Sequence, residues 1–195
     1  VYPILLDETC CFLAIDLDKI GWQEDALAVL ATIGRINLPA ALERSRSGKG
    51  GHVWMFFEEP IAAALARRLG AHILTETMEY RPEIGLDSYD RFFPNQDTLP
   101  HGGFGNLIAL PLQSEPRKAG NSVFVDAQCA PHADQWAFLS SIKRIARMTV
   151  EQLVHEASQR GRIVDVRMAP TEEDDAEPWN AHPSRRRTDP ALAGP

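Results

Sequence analysis

Two aspartates two residues apart, Asp16 and Asp18, close the apolar run Phe12-Leu13-Ala14-Ile15. A β-strand repeats every two residues, so both carboxylates fall on one face at the end of a strand. Side by side they repel, and burial sharpens the repulsion. A divalent cation that favours oxygen ligands, magnesium or manganese, relieves it. The plainer reading is a strand end with two solvated acids, one of them paired with neighbouring Lys19.

A second group is the run Ser45-Arg46-Ser47-Gly48-Lys49-Gly50-Gly51-His52. Its glycines permit tight turns whose N–H groups can face an anion. Arg44, Arg46 and Lys49 add positive charge, and His52 begins the next strand. The composition suits a polyphosphate, although the Walker spacing is absent; the alternative is a flexible hairpin tip. A third group is Ser88-Tyr89-Asp90-Arg91-Phe92-Phe93, followed by Gly102-Gly103-Phe104-Gly105-Asn106. Three carboxylates from two strands can hold two metals around a triphosphate. Asp87 and Asp97 compete with Asp90 for the third place, and Asp90 can instead pair with a surface base such as Arg91. Asn106 can cap a turn or contact a nucleotide sugar. Trp136 and Phe138 read as core, and no His-x-x-x-His or Cys-x-x-Cys pair suggests a structural zinc site.

These groups need strands and helices to position them. β-Branched and aromatic content predicts a strand over Cys10–Asp18, and apolar spacing predicts a helix over Trp22–Arg35. Ala40–Arg46 and His52–Phe57 read as strands around a wide hairpin tip. Pro60 is placed in the first turn of a helix running to Met78, where its missing N–H costs nothing. Ser88–Phe93, Asn106–Leu112, Ser122–Val125 and Ile163–Met168 read as further strands. Asp134 is expected to cap a helix carrying Trp136, Leu139, Ile142 and Ile145, and Thr149 a last helix ending at Gly161. The interleaving with a hairpin predicts an α+β domain with a mixed or antiparallel sheet.

The chain has 195 residues, 44% hydrophobic and 24% charged, which excludes disorder along its whole length. Twenty Lys and Arg against 27 Asp and Glu leave a net charge of −7, so bulk charge does not coat nucleic acid. No apolar run approaches the roughly 18 residues of a membrane span. Cys10 and Cys11 point to opposite faces of a strand and are not expected to bond to each other. Reduced thiols and no signal peptide suggest the cytoplasm. The start at Val1 suggests a piece of a longer protein. Residues 1–170 are expected to form one domain, and the acidic, then arginine-rich, proline-interrupted 171–195 a tail or linker.

In this order the three groups resemble the motifs of the archaeo-eukaryotic primase superfamily. Its Asp-x-Asp is matched by Asp16 and Asp18, its serine loop ending in a strand histidine by SGKGGHVW with His52, and its later strand acid by Tyr89-Asp90. The second motif is often Ser-x-His; position 50 here is Gly50, and Ser47 fits the longer Ser-Gly-x-Gly-x-His form of bacterial end-joining polymerases. The segments ERSRSGKGGHVWMFF, SYDRFFPNQDTLP, GGFGNLIALPLQ and DQWAFLSS resemble, more narrowly, the primase domain of TOTE conflict systems, over about Tyr2–Ser141.

The resemblance implies an RRM-like catalytic core flanked by helices and template-directed nucleotidyl transfer onto a 3′-hydroxyl. It implies two Mg2+ or Mn2+ ions on Asp16, Asp18 and Asp90. Arg46, Ser47, Lys49, Gly50, His52 and Asn106 would meet the nucleoside triphosphate. A single-stranded or primed DNA or RNA template would meet Arg117, Lys118, Lys143, Arg144 and Arg147, the last three expected together on one helix. Helicase and nuclease modules would be partners; no membrane is. A binding module without catalysis and a metal-dependent phosphodiesterase are the alternative functions.

Overall fold

The computed structural model describes residues 1–84, 92–99 and 106–163. Its centre is a five-stranded antiparallel sheet, so the α+β expectation holds. The elements in chain order are β1 (Thr9–Leu17), α1 (Trp22–Arg35), β2 (Ala41–Arg44), β3 (Gly51–Ala62), α2 (Ala63–Met78), β4 (Phe92–Phe93), α3 (Ser114–Lys118), β5 (Val123–Val125), α4 (Gln135–Ser141) and α5 (Arg147–Gln159). The strands lie in the order β4-β1-β3-β2-β5.

Alternation along the strands divides the buried residues into two layers. Leu13, Ile15 and Leu17 of β1, Val53, Met55 and Phe57 of β3, and Leu42 of β2 face α1, α2 and α5 and form the larger core. Phe12, Ala14, Ala41, Trp54 and Phe124 form a smaller, aromatic cluster on the opposite face. Phe138, Leu139 and Ile142 and the segment with Ile108 and Leu112 cover part of it. Cys10 turns into the core and Cys11 out of it, as expected of strand neighbours. Burial pushes the Cys10 thiol up to about 12.

Several expectations are corrected. Pro60 does not open α2 but lies within β3. Between Cys10↔Ile61 and Phe12↔Phe56 the β1–β3 register shifts, with the extra residues on β3. There its backbone bonds to another partner: Glu58 N–H donates to Ile145 O (3.0 Å) and Ile145 N–H to Phe56 O (2.8 Å). A proline is tolerated at such a bulge because no ladder bond depends on its N–H. Residues 106–112 join no strand ladder, and their buried residues Ile108 and Leu112 pack on the aromatic face instead. The helix capped by Asp134 ends at Ser141, leaving Ile142 and Ile145 beyond it. α5 starts at Arg147, ahead of Thr149. Most of the strands expected over Ser88–Phe93 and Ile163–Met168, and the boundary expected at 170, lie outside the described residues.

Candidate functional site

The ladder puts Asp16 of β1 opposite His52 of β3, and His52 opposite Glu43 of β2. Residues opposed across antiparallel strands share a face, so the three side chains form a row across three strands on the aromatic side of the sheet. His52 Nε2 lies 3.5 Å from Asp16 Oδ1, and His52 Nδ1 lies 2.9 Å from Glu43 Oε2. Trp54 Nε1 donates to the same Glu43 oxygen (2.8 Å), and Ser122 Oγ donates to the other (3.3 Å). Glu43 is 1% exposed and His52 9%, whereas the Asp16 side chain keeps 28% of its surface. The row therefore runs from a dry anchor at Glu43 to a solvent-facing carboxylate at Asp16.

Asp18 follows the last residue of β1 and is exposed. The glycine loop rests directly against it. A Cβ at Gly50 would lie 2.7 Å from Leu17 O and 3.0 Å from Asp18 Cα. This contact accounts for glycine at the position where the Ser-x-His form carries serine. Behind the loop, a Cβ at Gly51 would meet the Trp22 ring of α1 at 2.6 Å.

The hairpin tip is tighter than expected, closed by Ser45 N–H donating to Gly50 O (2.9 Å). Two of its N–H groups are already used: Gly48 donates to Ser45 O (3.0 Å) and Lys49 to Ser47 Oγ (3.1 Å). Ser47 Oγ also lies 3.1 Å from Ser45 Oγ, so that hydroxyl serves the loop. Arg44 is likewise structural, its guanidinium donating to Gly120 O (2.9 Å) and Cys129 O (2.6 Å). Arg46 and Lys49 are exposed on the tip.

Asp87 and Asp90 lie outside the described residues. Among the described residues no three of His, Cys, Asp or Glu gather as a metal cluster. Asp97 is engaged by Arg67 (2.5 Å). Asn106 is exposed at the start of the segment that crosses the aromatic face. The oxygen donors of Asp16 and Asp18, at one strand end and open to solvent, fit a hard divalent cation.

The expected basic helix is not there. Lys143 and Arg144 lie in the link between α4 and α5, and Arg147 is the first residue of α5. Arg147 Nε pairs with Glu59 (3.2 Å) and its Nη2 donates to Pro60 O (2.7 Å). Lys118 pairs with Glu115 (2.6 Å) on α3. The Arg117 guanidinium sits 6.0 Å from the Trp136 ring centre.

Trp136 is 60% exposed, which corrects its reading as core. With Cys11, Phe56, Glu58, Ile142 and Arg144 it lines a cleft of about 650 Å³. Phe56 is four residues from His52 on the same face of β3, about 13 Å away at strand rise. Sequence reasoning assigned Trp136 to the core and did not single out Glu43. Glu43 had a signal: once the tip is closed between Ser45 and Gly50, an acid in a buried strand stands directly across from the motif histidine.

The family model for the archaeo-eukaryotic primase domain of TOTE conflict systems matches residues 1–153. No curated protein matches the chain. Among the described residues no helix is long and apolar enough to cross a membrane. The chain belongs to the TOTE conflict-system archaeo-eukaryotic primase domain family, part of a superfamily of primase and nucleotidyltransferase type.

Proposed function

We propose that this family member is a template-directed nucleotidyltransferase that extends a 3′-hydroxyl from nucleoside triphosphates. The observation that supports the reading is the pairing of Asp16 with His52 across the ladder, with Asp18 directly after β1 and against Gly50 of the tip that carries Arg46 and Lys49. In the reaction a 3′-oxygen attacks the α-phosphorus, the bond to the β-bridging oxygen breaks, and pyrophosphate leaves. Asp16 and Asp18, with Asp90 or Asp87, are the oxygen donors proposed for Mg2+ or Mn2+. When bound, such ions make the 3′-hydroxyl more acidic and offset charge on the leaving pyrophosphate. His52, held at the edge of the core, takes a phosphate oxygen on its site-facing edge. Arg46 and Lys49 lower the cost of bringing a triphosphate beside two carboxylates. Gly50 keeps the tip close to Asp18.

The template follows the aromatic face away from the site, with a base against Trp136 and phosphates near Arg117, Lys143 and Arg144. Residues 171–195 are proposed as a linker to helicase and nuclease modules.

The test is extension of a primed single-stranded template with ribo- or deoxyribonucleotides and either metal. The chain carrying Asp16→Ala and Asp18→Ala is expected to lose activity by about a thousandfold or more. Retained extension in that variant sinks the assignment. Nucleic acid breakdown without any triphosphate would favour the phosphodiesterase, and nucleotide binding without extension the binding module.

A further inference from the structure

Glu43 is a buried acid that the proposed chemistry does not itself use. A carboxylate 1% exposed in a sheet needs partners for both oxygens, and here three residues from two segments, β3 and the turn before β5, supply them. Trp54 Nε1, two residues along β3 from His52, donates to Oε2 at 2.8 Å. Ser122 Oγ, from the turn before β5, donates to Oε1 at 3.3 Å. The remaining bond, 2.9 Å from Oε2 to His52 Nδ1, holds the imidazole by the edge that faces away from Asp16. The other ring nitrogen, Nε2, is thereby turned toward Asp16, 3.5 Å off. An imidazole clamped on one nitrogen has a fixed orientation and a defined hydrogen at that nitrogen. The clamp is itself rigid, because Trp54 lies in the aromatic cluster with Phe12 and Phe56, 5.2 Å and 6.0 Å from its ring centre.

We propose that Glu43 is a positioning residue for nucleotide binding: its carboxylate, held by Trp54 and Ser122, accepts a hydrogen bond from the Nδ1–H of His52 and so aims the Nε2 edge at the triphosphate. The proposal rests on the functional reading above, because it acts through the role given there to His52. It goes beyond it by assigning a residue outside the recognised motifs, on a strand that contributes no motif acid. Glu43 touches neither substrate nor reacting atoms.

The experiment is a double-mutant cycle in the full chain, reading the Michaelis constant for the nucleotide separately from turnover on a primed template. Glu43→Gln keeps the volume and an oxygen able to accept from Trp54 and His52 but removes the charge, and circular dichroism checks its fold. It is expected to raise the nucleotide Michaelis constant about tenfold, with turnover changed less. In a His52→Ala background the same substitution is expected to add less than about twofold, since Glu43 then has nothing to aim. Effects that simply multiply, or a folded Glu43→Gln chain with an unchanged Michaelis constant, overturn the proposal.

A second readout needs no turnover. Long-range 1H–15N correlation of the His52 ring in the wild-type chain is expected to show a hydrogen on Nδ1. A ring bare at Nδ1 overturns the clamp. Absence of any nucleotide binding or extension by the wild-type chain would instead sink the functional reading. A wild-type chain that binds and extends while Glu43→Gln matches it would sink the role of Glu43 alone.

Discussion

The two faces of the sheet are built from alternate residues of the same strands and do different work. Toward α1 and α2, β1 presents Leu13, Ile15 and Leu17, and β3 presents Val53, Met55 and Phe57, all in one dry layer. On the opposite face β1 presents Phe12, Ala14 and Asp16, and β3 presents His52, Trp54 and Phe56. The first face secures the ladder by apolar burial. The second uses the ladder as a ruler, setting aromatic rings at one end and charged groups at the other. Adjacent residues such as Ile15 and Asp16 thus answer to different demands, and substitutions separated by a single position should have unrelated consequences.

The sharpest way to break that contrast is to cut into each face in turn. Ile15→Ala removes a fully buried side chain from the helix-covered layer. It should destabilise the fold by about 2–5 kcal/mol in a denaturant titration, while the surviving folded fraction keeps its nucleotide Michaelis constant. The Asp16→Ala, Asp18→Ala chain should do the reverse, losing activity with little change in midpoint. A destabilised double aspartate variant would blur the division.

Gly50→Ser tests the seam where loop and acids meet. The added Cβ must displace Leu17 O or the Asp18 backbone, at a cost of about 1–3 kcal/mol, and should impair extension more than stability. Full activity in this variant would show that the seam yields without moving Asp18. The smallest effect on folding is expected from Trp136→Ala, because that side chain is mostly solvent-exposed. Its melting temperature should be nearly unchanged, while affinity for single-stranded template measured by anisotropy falls by about tenfold, the scale of one lost base stack. Unchanged affinity would remove the cleft from the template path.

Much of this was legible in the residues, for identifiable reasons. α1 was readable over Trp22–Arg35 because its apolar spacing is regular, Asp16 because it falls at the end of an apolar strand, and His52 because it follows the glycine run at the start of the next strand. Pro60 was misplaced because a proline that opens a helix and one that sits in a bulge look alike locally; the distinction depends on Ile145, 85 residues away. Lys143, Arg144 and Arg147 have helical spacing, but the backbone between Ile142 and Ala146 is drawn to β3, so spacing alone misled. Glu43 stayed hidden because an acid in Ala-Leu-Glu-Arg resembles an exposed strand residue until its partners from β3 and the β5 turn are in place.

The register shift between Cys10 and Phe12 has a bearing on how such a chain can vary in length. Beyond it, from Phe12 to Leu17, pairing with β3 is unbroken, so one inserted residue there would carry Asp16 to the helix side and bring a core residue to face His52. Before it, the ladder already accommodates extra residues on β3 without disturbing that pairing. Insertions and deletions among homologous chains should therefore collect on the Thr9–Cys11 and Glu58–Pro60 side of the irregularity, which works as an expansion joint that isolates the charged end of the sheet from changes at the other.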